Sequence, residues 1–221
     1  MSIDKRKNYY LVFDTETTGT LEEPLVYDIG GAIIDKQGKV YESFSFVVDE
    51  IFNNGTLMAT AYYGEKIPAY EQEISDGSRI VSDYSSIRTY IKDLCDKYEV
   101  KALMAHNAYF DYKATSNTRT VLEGYKTFLP WGYEIWDTLK MARDTIGKQK
   151  SYVRWCNDNG YLNMYGKPQL KAEILYRYIS GDNEFIESHT GLEDVMIEKE
   201  IFRQCLRQHK PMRKKLFKDR T

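Results

Sequence analysis

Asp14-Thr15-Glu16 is the first place in the chain where side-chain types and spacing could do chemistry. It closes an apolar run, Asn8–Asp14, that reads as a strand. Alternate residues of a strand point to one face, so Asp14 and Glu16 can aim two carboxylates at one point. Like charges held together are costly unless a cation neutralises them. Oxygen donors suit hard cations such as Mg²⁺ or Mn²⁺. Acids also mark ordinary strand ends and turns, so the pair alone leaves both readings open.

Two further groups have the same character. His106-Asn107-Ala108-Tyr109-Phe110-Asp111 follows the apolar run Val100–Ala105 and opens a helix. An acid such as Asp111 is also simply favoured near a helix start by the dipole. A hydrogen-bonded structural histidine is the plainer reading of His106. His189 then stands just ahead of a well-marked helix that carries Asp194 about one turn in. A histidine titrates near neutrality and suits a base; on a loop beside a fixed carboxylate it would be a mobile one.

The elements that must position these groups follow from periodicity. Leu25–Asp35 reads as a second strand with two glycines, Gln37-Gly38 as a turn, and Lys39–Val48 as an alternating strand that completes a hairpin. Tyr133–Trp136 is a weaker strand. Ile87, Ile91 and Leu94 mark a helix within Tyr84–Tyr98. Further helices are expected over Ala108–Glu123, Thr138–Ile146, Val153–Asn159 and Gln169–Ile179. Thr190-Gly191-Leu192-Glu193 fits a capping box, with Leu192, Val195, Phe202 and Leu206 on one face of the helix behind it. Phe52–Gly77, with Met58, Tyr62, Tyr63, Pro68 and Tyr70, reads as an irregular insertion. Its tyrosines either stack bases or, preferably, pack the insertion onto the body. Together these elements imply an α/β domain with a mixed sheet of about five strands.

Asp-x-Glu within Phe13–Gly19, His-Asn-Ala-x-Phe-Asp at 106–111 and His-x₄-Asp at 189–194, taken in order, resemble the three motifs of the DEDDh 3′→5′ exonucleases. That group includes the proofreading subunit of bacterial replicative polymerases and ribonuclease T. Trp136-Asp137-Thr138-Leu139 is similar to the Asp-Thr-Leu that often follows a strand there. The resemblance covers roughly residues 8–206. It implies a ribonuclease H-like fold, a mixed five-stranded sheet flanked by helices. It implies an exonuclease domain over 1–208, with the insertion at about 52–77, and a basic tail over 209–221. Asp14, Glu16, Asp111 and Asp194 correspond to the four acids that hold two divalent cations, Mg²⁺ or Mn²⁺, and His189 to the general base. Thr17, Gly19, His106, Asn107 and Phe110 become substrate-contact candidates. Val195 departs from the small residue that often follows the last acid, and the insertion has no clear counterpart.

The expected activity is hydrolysis of the terminal phosphodiester at a nucleic-acid 3′ end, releasing nucleoside 5′-monophosphates. Single-stranded DNA is favoured as substrate. An exoribonuclease and a non-catalytic nucleic-acid-binding or polymerase-associated module are the alternatives.

The overall charge fits none of this at first sight. The chain has 221 residues, with 31 Lys and Arg against 33 Asp and Glu. That balance excludes a strongly basic nucleic-acid coat as the main device. The charge is also uneven. Residues 1–201 hold 23 basic and 32 acidic side chains, whereas residues 202–221 hold eight basic and one acidic. The tail is either a solvated end or a hook for phosphates or an acidic partner; a polymerase or other replication protein is its expected partner in the group, although Lys214-Lys215-Leu216-Phe217 carries no convincing clamp-binding motif. Four acids masked by two divalent cations would let an acidic body bind a polyanion locally. No stretch reaches the roughly 20 apolar residues of a membrane span, and no apolar run follows the basic start. Cys95, Cys156 and Cys205 form no metal-like pair. A cytoplasmic protein with reduced thiols and no membrane partner is expected.

Overall fold

The computed structural model describes residues 3–128 and 132–217. Met1, Ser2 and the tail residues Lys218–Thr221 lie outside the described residues. The elements run in the order β1 (Tyr9–Gly19), β2 (Pro24–Asp35), β3 (Val40–Val48), α1 (Asp49–Phe52), α2 (Gly55–Met58), α3 (Ile67–Asp76), β4 (Ile80–Ser82), α4 (Tyr84–Lys97), β5 (Ala102–Ala105), α5 (Tyr109–Glu123), β6 (Glu134–Asp137), α6 (Thr138–Asp144), α7 (Lys150–Asp158), α8 (Ala172–Ser180) and α9 (Gly191–Arg207).

The sheet is mixed, in the order β4-β3-β2-β1-β5-β6. β1, β2 and β3 form an antiparallel meander, and β5 and β6 join β1 in parallel. It has six strands where five were expected; the extra one is β4, three residues paired in parallel with β3. Three residues are too short to leave a period in the sequence.

Both faces of the sheet are covered, which is why its strands read as nearly continuous apolar runs. Tyr9, Leu11, Phe13, Ile29 and Ile33 join the core beneath α4. Tyr10, Val12, Ala32 and Ile34 join the core beneath α9. By the same alternation Asp14 and Glu16 belong to the α9 face. Val195 is wholly buried in that second core, so its bulk is used in packing.

The segment read as irregular is largely helical. α3 begins with Pro68 in its first turn and ends at Gly77, whose φ of 80° suits a glycine C-cap. The insertion is tied to the end of β1: Tyr62 N–H donates to the Thr17 carbonyl at 3.2 Å, and Gly19 N–H to Thr60 Oγ1 at 3.0 Å.

The described part of the tail runs along the open edge of β6. Leu216 N–H donates to the Ile135 carbonyl at 2.7 Å, and Asp137 N–H to the Lys214 carbonyl at 2.8 Å. Arg213 Nε sits 2.8 Å from Asp144, and Lys215 Nζ 2.7 Å from Glu134. These charges are spent on the body. All three cysteines are buried and unbridged. Among the described residues, no helix is long and apolar enough to cross a membrane.

Candidate active site

The acids converge where β1 leaves the core. Asp14 and Glu16 lie two apart on β1, opposite Gly30 and Asp28 of β2. The hydrogen-bond register shifts between Glu16 and Thr17. This irregularity distorts the strand pair locally beside the carboxylates, and pairing then continues to Gly19. Asp111 comes from the first turn of α5, and its Oδ1 accepts a hydrogen bond from Thr15 Oγ1 at 2.9 Å. Asp194 comes from the first turn of α9. Glu16, Asp111 and Asp194 are all buried. Together with His189 they line one open cavity of about 480 Å³.

Two glycines allow α9 to come this close. A Cβ on Gly30 would lie 2.0 Å from the Leu192 nitrogen, and one on Gly191 would lie 2.6 Å from the Gly30 nitrogen. Backbone touches backbone here, so neither position accepts a side chain. The helix start thus sits directly over β2 beside Asp14.

The capping box forms differently from its sequence signature. Thr190 is the N-cap, but its hydroxyl bonds Glu193 Oε2 at 2.5 Å and caps no backbone N–H. An acid that the motif reading overlooked holds the helix start instead. Asp28 is completely buried, and its Oδ2 accepts from Gly191 N–H at 2.9 Å and from Tyr70 Oη at 2.7 Å. Arg79 Nη1 lies 2.5 Å from Oδ1, and its guanidinium sits over the Tyr70 ring. Asp28 therefore couples the 52–77 insertion to α9. Tyr70, expected to pack, does so; the only sequence signal for the rest was an acid inside an apolar strand.

His189 stands just outside α9 with a φ of 56°. Left-handed backbone at a non-glycine residue is uncommon and clusters at functional sites. Its ring stacks on Tyr63 at 4.1 Å with the planes 8° apart. Its Nδ1 is 3.9 Å from Glu187 Oε2. Ligand atoms of Glu16, His189 and Asp194 all lie within 4.8 Å of one another.

The substrate-contact candidates divide. Thr17, Asn107 and Phe110 line the cavity. Asn107 has a φ of 67°, which asparagine tolerates, and its N–H donates to Asp137 Oδ1 at 3.2 Å. His106 lines the cavity too, but both ring nitrogens are engaged. Nε2 is 2.7 Å from the Leu170 carbonyl and Nδ1 is 3.0 Å from Thr138 Oγ1. A carbonyl only accepts, so Nε2 carries the proton, and the unprotonated Nδ1 faces the Thr138 hydroxyl, which also lies 3.2 Å from the Ala105 carbonyl. Asp137 and Thr138 thereby organise the second motif. Gly19 shapes the turn after β1, with a φ of 88°, and is not among the cavity-lining residues.

Burial and mutual repulsion dominate the electrostatics. Burial pushes Asp111 up to about 7, against the hydrogen bond from Thr15. Burial, followed by the charge of Glu187, pushes Asp194 up to about 8. Burial, followed by the charge of Asp194, pushes Glu16 up to about 10. Asp14 is driven up by burial and by the charges of Asp111 and Glu198. Burial lowers His189, favouring the neutral imidazole that a base requires. Asp194 Oδ1 is buried with no hydrogen-bond partner among the described residues. Such a set of crowded carboxylates with an orphaned oxygen fits hard divalent cations, which would neutralise the charge and complete the bonding.

No family model matches the chain, and no curated protein matches it. Solved structures do. The zinc-bound E. coli exonuclease I–single-stranded DNA complex superimposes with a TM-score of 0.58 at 17% identity, over 92% of this chain and 42% of that chain. E. coli exonuclease I with a dT13 oligonucleotide carrying 5cy gives a TM-score of 0.59 at 16% identity, over 92% and 41%. The chain thus spans less than half the length of those proteins. At this identity the likeness establishes architecture, and the chain has the ribonuclease H-like α/β fold seen in exonuclease I.

Proposed function

We propose that the chain is a metal-dependent 3′→5′ exonuclease that removes nucleoside 5′-monophosphates from single-stranded DNA ends. The observation that carries this reading is the convergence of Asp14, Glu16, Asp111 and Asp194 with His189 in one open cavity, from β1, α5, α9 and the loop before α9. The solved exonuclease I complexes with single-stranded DNA and dT13 support the choice of substrate.

Asp14, Glu16, Asp111 and Asp194 would hold the two cations, Mg²⁺ or Mn²⁺. When bound, such cations relieve charge on the phosphate and the leaving oxygen and make water a better nucleophile. The remaining work belongs to the chain. Asp14 and Glu16, fixed by strand pairing, set the floor of the site. Asp194, on the first turn of a clamped helix, and Asp111, oriented by Thr15, close two sides. His189, neutral near pH 7, takes the proton of the attacking water and passes it to solvent. Its place on non-helical backbone lets the ring turn from Tyr63 toward the scissile phosphate. Phe110 and Tyr63 offer ring faces to the terminal base; base–aromatic stacking is worth about 1–3 kcal/mol per base.

The test is a panel of 3′-labelled single- and double-stranded DNA and RNA oligonucleotides, each with Mg²⁺, with Mn²⁺ and with chelator. Stepwise, metal-dependent loss of 3′ nucleotides, fastest on single-stranded DNA, is the expected result. Release of nothing with either cation would refute the reading, and faster loss from RNA would move the substrate assignment.

A further inference from the structure

Glu198 is absent from the sequence motifs, yet it lines the same cavity as Asp14 and Asp111. It follows Asp194 by four residues on α9, so the two carboxylates share one helix face, one turn apart. Only 2% of its surface is exposed. Oε1 accepts the His106 backbone N–H at 2.9 Å, which fixes the side chain against the second motif. Oε2 is buried and has no hydrogen-bond partner among the described residues. Glu198 also has no ion pair there.

A buried carboxylate oxygen with nothing to bind is expensive. Holding the His106 N–H requires one neutral acceptor, which glutamine would supply without burying a charge. The second oxygen therefore calls for a positive ligand, and the cavity it faces already gathers Asp14, Glu16, Asp111 and Asp194, with Glu173 and Glu187 also on its lining. We propose that Glu198 joins Asp14, Glu16, Asp111 and Asp194 as a fifth carboxylate ligand, a direct one, for the divalent cations of this site. This inference rests on the reading of the cavity as a divalent-cation site. With Glu198 included, the proposed ligand set carries five negative charges to set against the four positive charges of two cations. That favours tight retention of metal before substrate arrives.

Glu198→Gln separates the roles, since it keeps the volume and the acceptor for His106 and removes the charge. Mn²⁺ binding by titration calorimetry and the Mn²⁺-induced rise in melting temperature are measured for both proteins, starting from chelator-treated material. The variant should bind Mn²⁺ about tenfold more weakly or worse and show a smaller metal-induced rise. Its chelated form should melt no lower than wild type, which shows that the fold is intact. Equal Mn²⁺ affinity and an equal rise would overturn the assignment of Glu198 alone. Failure of the wild-type protein to take up Mn²⁺ would overturn it together with the metal-site reading.

Discussion

Replacing Asp28 with Asn should unfasten the start of α9 and reveal how the insertion controls the site. Three donors converge on this one buried carboxylate: Gly191 N–H at 2.9 Å, Tyr70 Oη at 2.7 Å and the Arg79 guanidinium at 2.5 Å. Asparagine offers a single oxygen, and its amide brings two more donors. At least one buried donor then loses its partner, at about 1–3 kcal/mol. Arg79 keeps Glu73 at 2.7 Å but loses its fully buried partner. Breaking one side of a buried pair costs about 3–5 kcal/mol. The two costs overlap, so the loss should be close to the larger one. For a domain of this length each kcal/mol lowers the melting temperature by about 2–4 °C, giving a fall of roughly 10 °C. Activity measured well below the new midpoint should also drop, because His189 and Asp194 flank the released helix start. Adding Arg79→Met removes the stranded cation and should recover part of the stability. Melting within about 2 °C of wild type would show that Asp28 holds nothing in place.

Two further outcomes follow from the site. In chelated protein, burial raises Asp111 to about 7, Asp194 to about 8 and Glu16 to about 10. Raised carboxyl values mean that the folded chain binds protons more tightly than the unfolded one. Their contribution is complete below pH about 4 and is lost as pH rises through the folded values, at about 1.4 kcal/mol per pH unit for each affected group. With chelator the protein should therefore melt higher at pH 5 than at pH 8, and saturating Mn²⁺ should flatten or reverse the trend by displacing those protons; a chelated midpoint that climbs from pH 5 to pH 8 contradicts it. His189→Ala should lower turnover by about 10²–10⁴-fold while leaving Mn²⁺ affinity within a few-fold, measured by single-turnover assay and calorimetry; equal turnover would remove His189 from the base role.

The parts of this site visible in the sequence were those governed by short-range rules. Asp14 and Glu16 share a face because strand side chains alternate, and the apolar run before them showed where the strand ended. The heavily buried faces of α4 and α9 were marked by their apolar spacing. What stayed hidden depends on contacts between distant segments. Gly30 and Gly191 lie 161 positions apart, and only their meeting explains why both must lack a side chain. Asp28 reads as a stray acid until Arg79, Tyr70 and Gly191 are brought to it. Glu198 reads as a solvated helix residue until α9 is docked. The helix α3 was legible in principle, since Pro68 and Gly77 mark its ends, but with Tyr70 its one buried residue it has almost no apolar period to read. The Thr190–Glu193 signature located the helix start correctly although the bonds it implies are replaced by a direct side-chain contact.

The most direct measurement is product analysis on a 3′-labelled single-stranded DNA oligonucleotide, with Mg²⁺ or Mn²⁺ and with chelator, for wild type and Asp14→Asn. Labelled nucleoside 5′-monophosphate should appear as the first product only with metal, be abolished by chelator and fall by about 10³-fold or more in the variant. Internal or 5′-end cleavage, or full activity of Asp14→Asn, would contradict it.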